Sequence, residues 1–346
     1  MSKKITILSI DGGGIRGILP GVILAYLEQK LQEKEGAQAR LCDYFDLLAG
    51  TSTGGILTCM YITPSADGRP LFTASEAVDL YLKNGGIIFS RSWWYKLRTL
   101  FGLLGAKYPV INIERILKSY LKNVMLKDAL KPCLVTAYDI VQRKTVFFNK
   151  TDTIKSDIFN YHMRDIARST SAAPTYFKPV KIESLFGAPL YMIDGGVFAN
   201  NPAMCAYAEA RTTEFSKIFN RPDKPDYPNA KNMIMISIGT GTHSDPYNYN
   251  KVKKWGAAYW ALPIINILMS SNAETVHYEL NQMFDTIKPP DQADYYRLEP
   301  TVGTASSQMD LATSENMHAL EEAGKTFVTA NVGLLDKIVD LLIANK

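Results

Sequence analysis

Three short apolar runs in this chain each end abruptly in a glycine-rich turn. Ile5–Ile10 precedes Asp11-Gly12-Gly13-Gly14-Ile15-Arg16-Gly17, Tyr44–Ala49 precedes Gly50-Thr51-Ser52-Thr53-Gly54, and Leu190–Ile193 precedes Asp194-Gly195-Gly196. Runs this short, bounded by turn residues, read as buried strands rather than helices. Helical patterns follow the first two turns: Ile18 to about Glu35, with Leu19, Ile23, Leu27 and Leu31 at helical spacing, and Gly54–Ile62. Further strands are expected at Cys133–Ile140, Val146–Asn149, Met233–Ile238 and Tyr295–Leu298. Helices are expected from Asn201, as a cap with Pro202 at its first position, over Thr313 to Ala330, and over Leu334–Ala344. Strands alternating with helices predict an α/β fold of three layers, a largely parallel central sheet with helices on both faces. Such a sheet takes its ligands beyond the carboxyl ends of its strands, where the three turns lie.

The loops at Thr63–Pro70 and Arg221–Pro228 interrupt this pattern without ending it, and there is no internal repeat. The chain therefore reads as a single domain over residues 1–346, with a motif-bearing core over about 5–241 and helical and strand elements over about 255–344. A net charge of +4 without a Lys/Arg-rich block argues against a nucleic-acid polymer as partner. Cys42, Cys59, Cys133 and Cys205 are far apart and lack metal-ligand spacing. They read as free thiols in a reducing compartment, with no metal and no cofactor expected. Ile5–Ile10 is shorter than a signal-peptide core, and no apolar stretch is long enough to span a bilayer. A cytoplasmic protein is the expectation.

The turns carry chemistry. Three consecutive glycines at the start of a helix let backbone amides converge on a phosphate or a developing oxyanion. Arg16, near a helix N-terminus, calls for an anionic partner, either an internal carboxylate or a lipid phosphate. Gly50–Gly54 matches G-x-S-x-G between a strand and a helix, the setting in which a serine hydroxyl is presented as a nucleophile. The Thr53 amide would face the same point as the amides of the first turn. Asp194, at a strand end before two glycines, can reach a neighbouring turn. Each turn alone is also explained as ordinary turn or cap chemistry. Together they supply a nucleophile, a carboxylate and an amide cradle at the strand ends of one sheet.

These residues, in this order, resemble the patatin-like phospholipase family, whose pattern is D-G-G-G-x-R-G, G-x-S-x-G and D-G-A/G. The segments Ala167–Pro174 and Asn200-Asn201-Pro202 also look like the family. The resemblance implies a lipid acyl hydrolase cleaving carboxylic esters of glycerolipids, with Ser52 as nucleophile and Asp194 as general base. It places the oxyanion among the amides of Gly12, Gly13 and Gly14, with an acyl-enzyme as intermediate. Asp11, Arg16, Gly17, Gly50, Gly54, Gly195 and Gly196 support the motifs.

Other readings stay open at this level. An α/β-hydrolase triad would need a histidine after Asp194, and His243, His277 and His318 satisfy the order. Gly12-x-Gly14-x-x-Gly17 after a strand matches a dinucleotide-binding turn, but the acidic residue expected some 20 positions on is not convincingly placed. A lipid-binding module without activity is the third alternative. Two segments invite lipid contact. Ile87 to Tyr108 mixes Trp93, Trp94 and Phe101 with Arg91, Lys96, Arg98 and Lys107, as an interfacial helix would, though a helix capping the core fits equally well. Trp255 to Met269 is apolar and aromatic but broken by Pro263, and reads as an acyl groove, a lid or plain core.

Overall fold

The computed structural model describes residues 3–93, 95, 105–242 and 246–346. In chain order, β1 (Ile5–Ile10) leads through a short 3-10 turn into α1 (Ile18–Glu35), and β2 (Leu47–Gly50) into α2 (Thr53–Ile62). Then come α3 (Ala74–Ile88), α4 (Val110–Leu121), the strand pair β3 (Cys133–Asp139) and β4 (Lys144–Asn149), α5 (Lys150–Lys155) and α6 (Met163–Thr170). They are followed by β5 (Val180–Ile182), β6 (Leu190–Asp194), α7 (Ala203–Ala210), α8 (Phe215–Phe219), β7 (Met233–Ile238) and α9 (Tyr249–Val252). The chain closes with α10 (Ala257–Asp285), β8 (Tyr295–Leu298), α11 (Ser314–Ala330) and α12 (Val332–Asn345). Residues 94 and 96–104, which include Trp94 and Phe101, lie outside the described residues, as does His243.

One sheet organises these elements, in the order β5-β6-β3-β2-β1-β7-β8, with β4 on the other side of β3. The five strands β3, β2, β1, β7 and β8 run parallel, as the alternation predicts. Strands were expected at β4 and β6, but their antiparallel direction, and β5 itself, were not legible in the sequence. The central strand β1 is buried along its whole length. Ile5 and Ile7 join a cluster with Met233, Met235, Ala203 and Phe284, under α7 and α10. Leu8 and Ile10 join the larger cluster under α1, α2, α3, α11 and α12. Apolar side chains on both faces are what a sheet covered on both sides requires.

Two helix starts differ from expectation. The helix after the third turn begins at Ala203, with Pro202 as its cap residue. Asn201 still does capping work, because its Oδ1 accepts the Ala203 N–H at 3.0 Å. Pro263 does not break the Trp255–Met269 stretch: α10 runs through it without interruption from Ala257 to Asp285. Proline leaves the Tyr259 carbonyl without its usual helical partner, yet helical neighbours on both sides hold the conformation.

A single carboxylate ties three elements on the larger face. Glu28 of α1 is buried, and its two oxygens accept the Leu41 N–H at 2.9 Å and the Ala74 N–H at 2.8 Å. The second bond anchors the first residue of α3, the helix that carries Tyr81 to the site. Replacing Glu28 with alanine strands two buried amides, at about 1–3 kcal/mol each. A urea titration is expected to show Glu28→Ala losing about 2–5 kcal/mol of stability, with Glu28→Gln recovering part of it.

Candidate active site

Ser52 sits at the joint between β2 and α2 with φ 53° and ψ −120°. A non-glycine residue in that region carries backbone strain of about 1–3 kcal/mol and persists only where its surroundings fix it. Here they do. The Ser52 N–H donates to Thr170 Oγ1 at 2.8 Å, and the Thr51 N–H donates to the Ile10 carbonyl at 3.2 Å. Thr51 Oγ1 lies 2.7 Å from Thr136 Oγ1 and donates to the Ala199 carbonyl at 2.6 Å. The turn also needs room: a Cβ at Gly54 would stand 2.1 Å from the Ile10 oxygen, and one at Gly50 would stand 2.3 Å from the Gly54 oxygen.

Strand lengths bring Asp194 to this serine. β2 ends with Gly50 opposite Val135 of β3. β6 then takes over the same edge of β3, running antiparallel, and ends with Asp194 opposite Ala137. The serine turn and the aspartate therefore meet end to end along one strand. Asp194 is 4% exposed and Ser52 7%. Asp194 Oδ1 accepts the Gly196 N–H at 2.7 Å. Burial pushes the Asp194 carboxyl up to about 7, against the hydrogen-bonding pull of the Ser52 hydroxyl and the Gly196 amide. Among the described residues no cation offsets the burial, so the carboxyl stands near neutrality instead of at its usual value.

The glycine loop is pinned from three sides. The Asn200 carbonyl takes the Gly12 N–H at 3.0 Å, and the Met309 carbonyl takes the Ile15 N–H at 2.8 Å. Thr240 Oγ1 donates to the Gly12 carbonyl at 2.7 Å. The first of these bonds engages the Gly12 amide, one of the four expected in the cradle. Among the described residues nothing takes up the amides of Gly13, Gly14 or Thr53. Thr53 is itself held by Tyr81, whose hydroxyl accepts from Thr53 Oγ1 at 2.7 Å and donates to the Thr53 carbonyl at 2.9 Å. Gly17 packs against the Thr53 side chain and Gly195 against Thr136.

Among the described residues Arg16 forms no ion pair with a carboxylate. Its half-buried guanidinium donates to the carbonyls of Gly241 at 3.1 Å and Gly13 at 3.4 Å. Burial draws its pKa down, and Glu299, Tyr176 and Asp11 oppose the shift at longer range. The loop's carboxylate is matched instead by Arg297 of β8, which the sequence reading missed. Its guanidinium spans β7, donating to Ser237 Oγ at 2.8 Å and to both Asp11 oxygens at 2.6 and 3.0 Å, and it also pairs with Glu299. The only signal was an arginine inside the short aromatic strand Tyr295–Leu298.

Ser52, Asp194 and Gly14 line one cavity, whose walls include Ile88, Phe89, Ile113, Phe177, Leu268 and Met269. Among the described residues no histidine lines it. His277 pairs with the Tyr295 hydroxyl at 3.0 Å, and His318 Nδ1 lies 2.7 Å from the Ser314 carbonyl on the exposed side of α11. The triad candidate His243 lies outside the described residues. Among the described residues no group of side chains has the makings of a metal site.

The family model for patatin-like phospholipases matches residues 8–207, which include all three turns. The chain belongs to the patatin-like phospholipase family. Patatin-like protein 2 of Oryza sativa subsp. indica is 35% identical, over 96% of this chain and 86% of its own. Patatin-like protein 2 of Arabidopsis thaliana is 37% identical over 92% and 82%, and patatin group J-1 of Solanum tuberosum 34% identical over 95% and 84%. As a patatin-like phospholipase the protein is a lipid acyl hydrolase, and its substrates are acyl-ester lipids. Among the described residues no helix is long and apolar enough to cross a membrane.

In this patatin-like protein the loop depends on Arg297 as much as on its glycines. Arg297→Met leaves the buried Asp11 carboxylate unpaired, which typically costs about 3–5 kcal/mol. Thermal or denaturant unfolding of this variant is expected to show that loss, with Arg297→Lys intermediate. Equal stability of wild type and Arg297→Met would mean that the ion pair does not hold the loop.

Proposed function

We propose that the protein hydrolyses carboxylic esters of glycerolipids through a Ser52–Asp194 dyad. The observation that carries this reading is the meeting of a strained, buried serine with a carboxyl poised near neutrality on the floor of an apolar cavity. Ser52 Oγ attacks the acyl carbonyl while its proton passes to the Asp194 carboxylate. The carbonyl oxygen, now an anion, is received by the amides of Gly13, Gly14 and Thr53; one such donor is worth about 3–4 kcal/mol. The tetrahedral adduct collapses, the carbon–oxygen bond to the leaving alcohol breaks, and Asp194 returns the proton to that oxygen. Water then attacks the acyl-Ser52 ester, giving its proton to Asp194, and release of the fatty acid restores the serine hydroxyl. The raised pKa makes Asp194 a far stronger base than an ordinary aspartate. Its ionised form, the one that accepts a proton, is lost as pH falls through about 7.

The substrate resides in a lipid surface, so peripheral membrane contact belongs to the same proposal. Trp93, which is 63% exposed, lies four residues after the cavity-wall residue Phe89.

Two measurements test the dyad. The acid limb of kcat/KM on a soluble ester is expected to fall about tenfold per pH unit below a midpoint near 7. Ser52→Ala and Asp194→Asn are each expected to lose roughly 10⁴-fold or more in kcat, and a fluorophosphonate is expected to label Ser52 alone. An equal loss in His243→Ala would replace the dyad with a triad, and absence of labelling would favour a binding module without activity.

A further inference from the structure

Beyond the catalytic floor, the stretch from Pro246 to Ala273 has an unusual charge pattern. It holds Lys251, Lys253 and Lys254 and not one carboxylate. The three lysines are exposed, on and just after α9. Around them stand the exposed aromatics Tyr247, Tyr249 and Tyr259. The aromatic rings are linked. Tyr247 packs edge-on against Trp255 at 5.7 Å, Trp255 packs edge-on against Trp260 at 5.3 Å, and Lys253 Nζ sits 5.7 Å from the Tyr249 ring centre. Trp260, Ile264 and Leu268 are spaced four apart on α10 and so share one helical face. Ile264 and Leu268 are exposed, and Leu268 also lines the cavity that holds Ser52. An apolar, aromatic path thus runs from the lysine cluster to the mouth of the site.

We infer that α9 and the first half of α10 form a docking surface for an anionic phospholipid bilayer, which feeds lipid to the cavity at Leu268. The occupant follows from the chemistry. Tyrosine and tryptophan settle at the level of lipid headgroups. Lysines flanking them gain roughly 1 kcal/mol each against an anionic leaflet. A stretch that carries no carboxylate of its own adds no repulsion against that leaflet. The long stems of Lys251, Lys253 and Lys254 can lie along the rings while their ammonium groups reach phosphate. This inference rests on the acyl-lipid hydrolase reading for its orientation, since the surface adjoins the cavity only at that site.

The test uses the full chain carrying Ser52→Ala, so that bound lipid is not turned over. Co-sedimentation is measured with vesicles of phosphatidylcholine and with vesicles of equal parts phosphatidylcholine and phosphatidylglycerol. Binding is expected to favour the anionic vesicles, and Lys251→Glu/Lys253→Glu/Lys254→Glu is expected to weaken it roughly hundredfold or more. The same three substitutions on the Ser52 enzyme are expected to leave hydrolysis of a soluble short-chain ester unchanged, which shows that the fold is intact. Equal binding to both vesicle types, binding to neither, or a triple variant that binds as wild type does would overturn the inference. Failure of the catalytic reading appears separately, as soluble-ester hydrolysis that survives Ser52→Ala.

Discussion

β3 is longer than β2, and the site depends on that difference. The first half of β3 carries Gly50 at its edge, and the second half is free to accept β6 from the opposite direction. Had β2 continued, Asp194 would have no place beside Ser52. What stops β2 is the turn itself. Ser52 takes a positive φ and its amide turns to Thr170, so no further ladder bond to β3 forms. One backbone reversal therefore turns Ser52 to the cavity, frees the edge for Asp194 and starts α2. Thr51 and Thr136 tie the two strands at the point where one partner gives way to the other.

Two buried aspartates, at the ends of β1 and β6, differ in their partners. Asp11 is held in a bidentate grip by Arg297, with Glu299 on the same guanidinium. For Arg297, burial acts downward but is outweighed by these carboxylates, so its pKa stands above the ordinary value. A carboxylate bound in this way is a strut. It fixes the end of β1 and with it the loop of Gly12–Gly14. Burial raises both carboxyls: Asp11 reaches only about 6 because Arg297 opposes the burial, whereas Asp194, whose partners among the described residues are a hydroxyl and one amide, is pushed up to about 7. In the proposed dyad the carboxyl that no arginine meets is the base, while the paired one braces the loop.

Much of this was legible in the sequence because local rules decide it. The five parallel strands were readable as apolar runs, and the G-x-S-x-G turn announces itself through glycines that nothing larger could replace. Ala167–Pro174 and Asn200, singled out by resemblance, prove to be the supports of the turns: Thr170 holds Ser52, and Asn200 holds Gly12. Features decided by distant parts of the chain were not readable. The antiparallel docking of β6 depends on where β2 stops. The capture of the Gly12 amide depends on a carbonyl 188 residues away. The bonds of Arg16 to the carbonyls of Gly13 and Gly241, rather than to an internal carboxylate, were not readable either. The loop's own carboxylate, Asp11, pairs with Arg297 across β7. Pro263 signalled a break that the long helix α10 overrides.

Holding Asp194 near neutrality has a thermodynamic consequence. A carboxyl moved from 3.8 to about 7 by folding corresponds to about 4 kcal/mol between its protonated and ionised forms. The sign follows from the direction of the shift. The folded state holds the proton more tightly, so it is favoured most below the unfolded pKa and loses that advantage as pH rises towards 7. At and above neutrality the fold therefore tolerates an ionised carboxylate with little compensation, in the protonation state that the proposed chemistry requires. The strain at Ser52 falls in the same place. The packed sheet and the clusters on both of its faces supply the stability that holds both unfavourable features together. That explains why the supports of this site, Thr170, Thr240, Asn200 and Arg297, are drawn from all along the chain rather than from the motifs themselves.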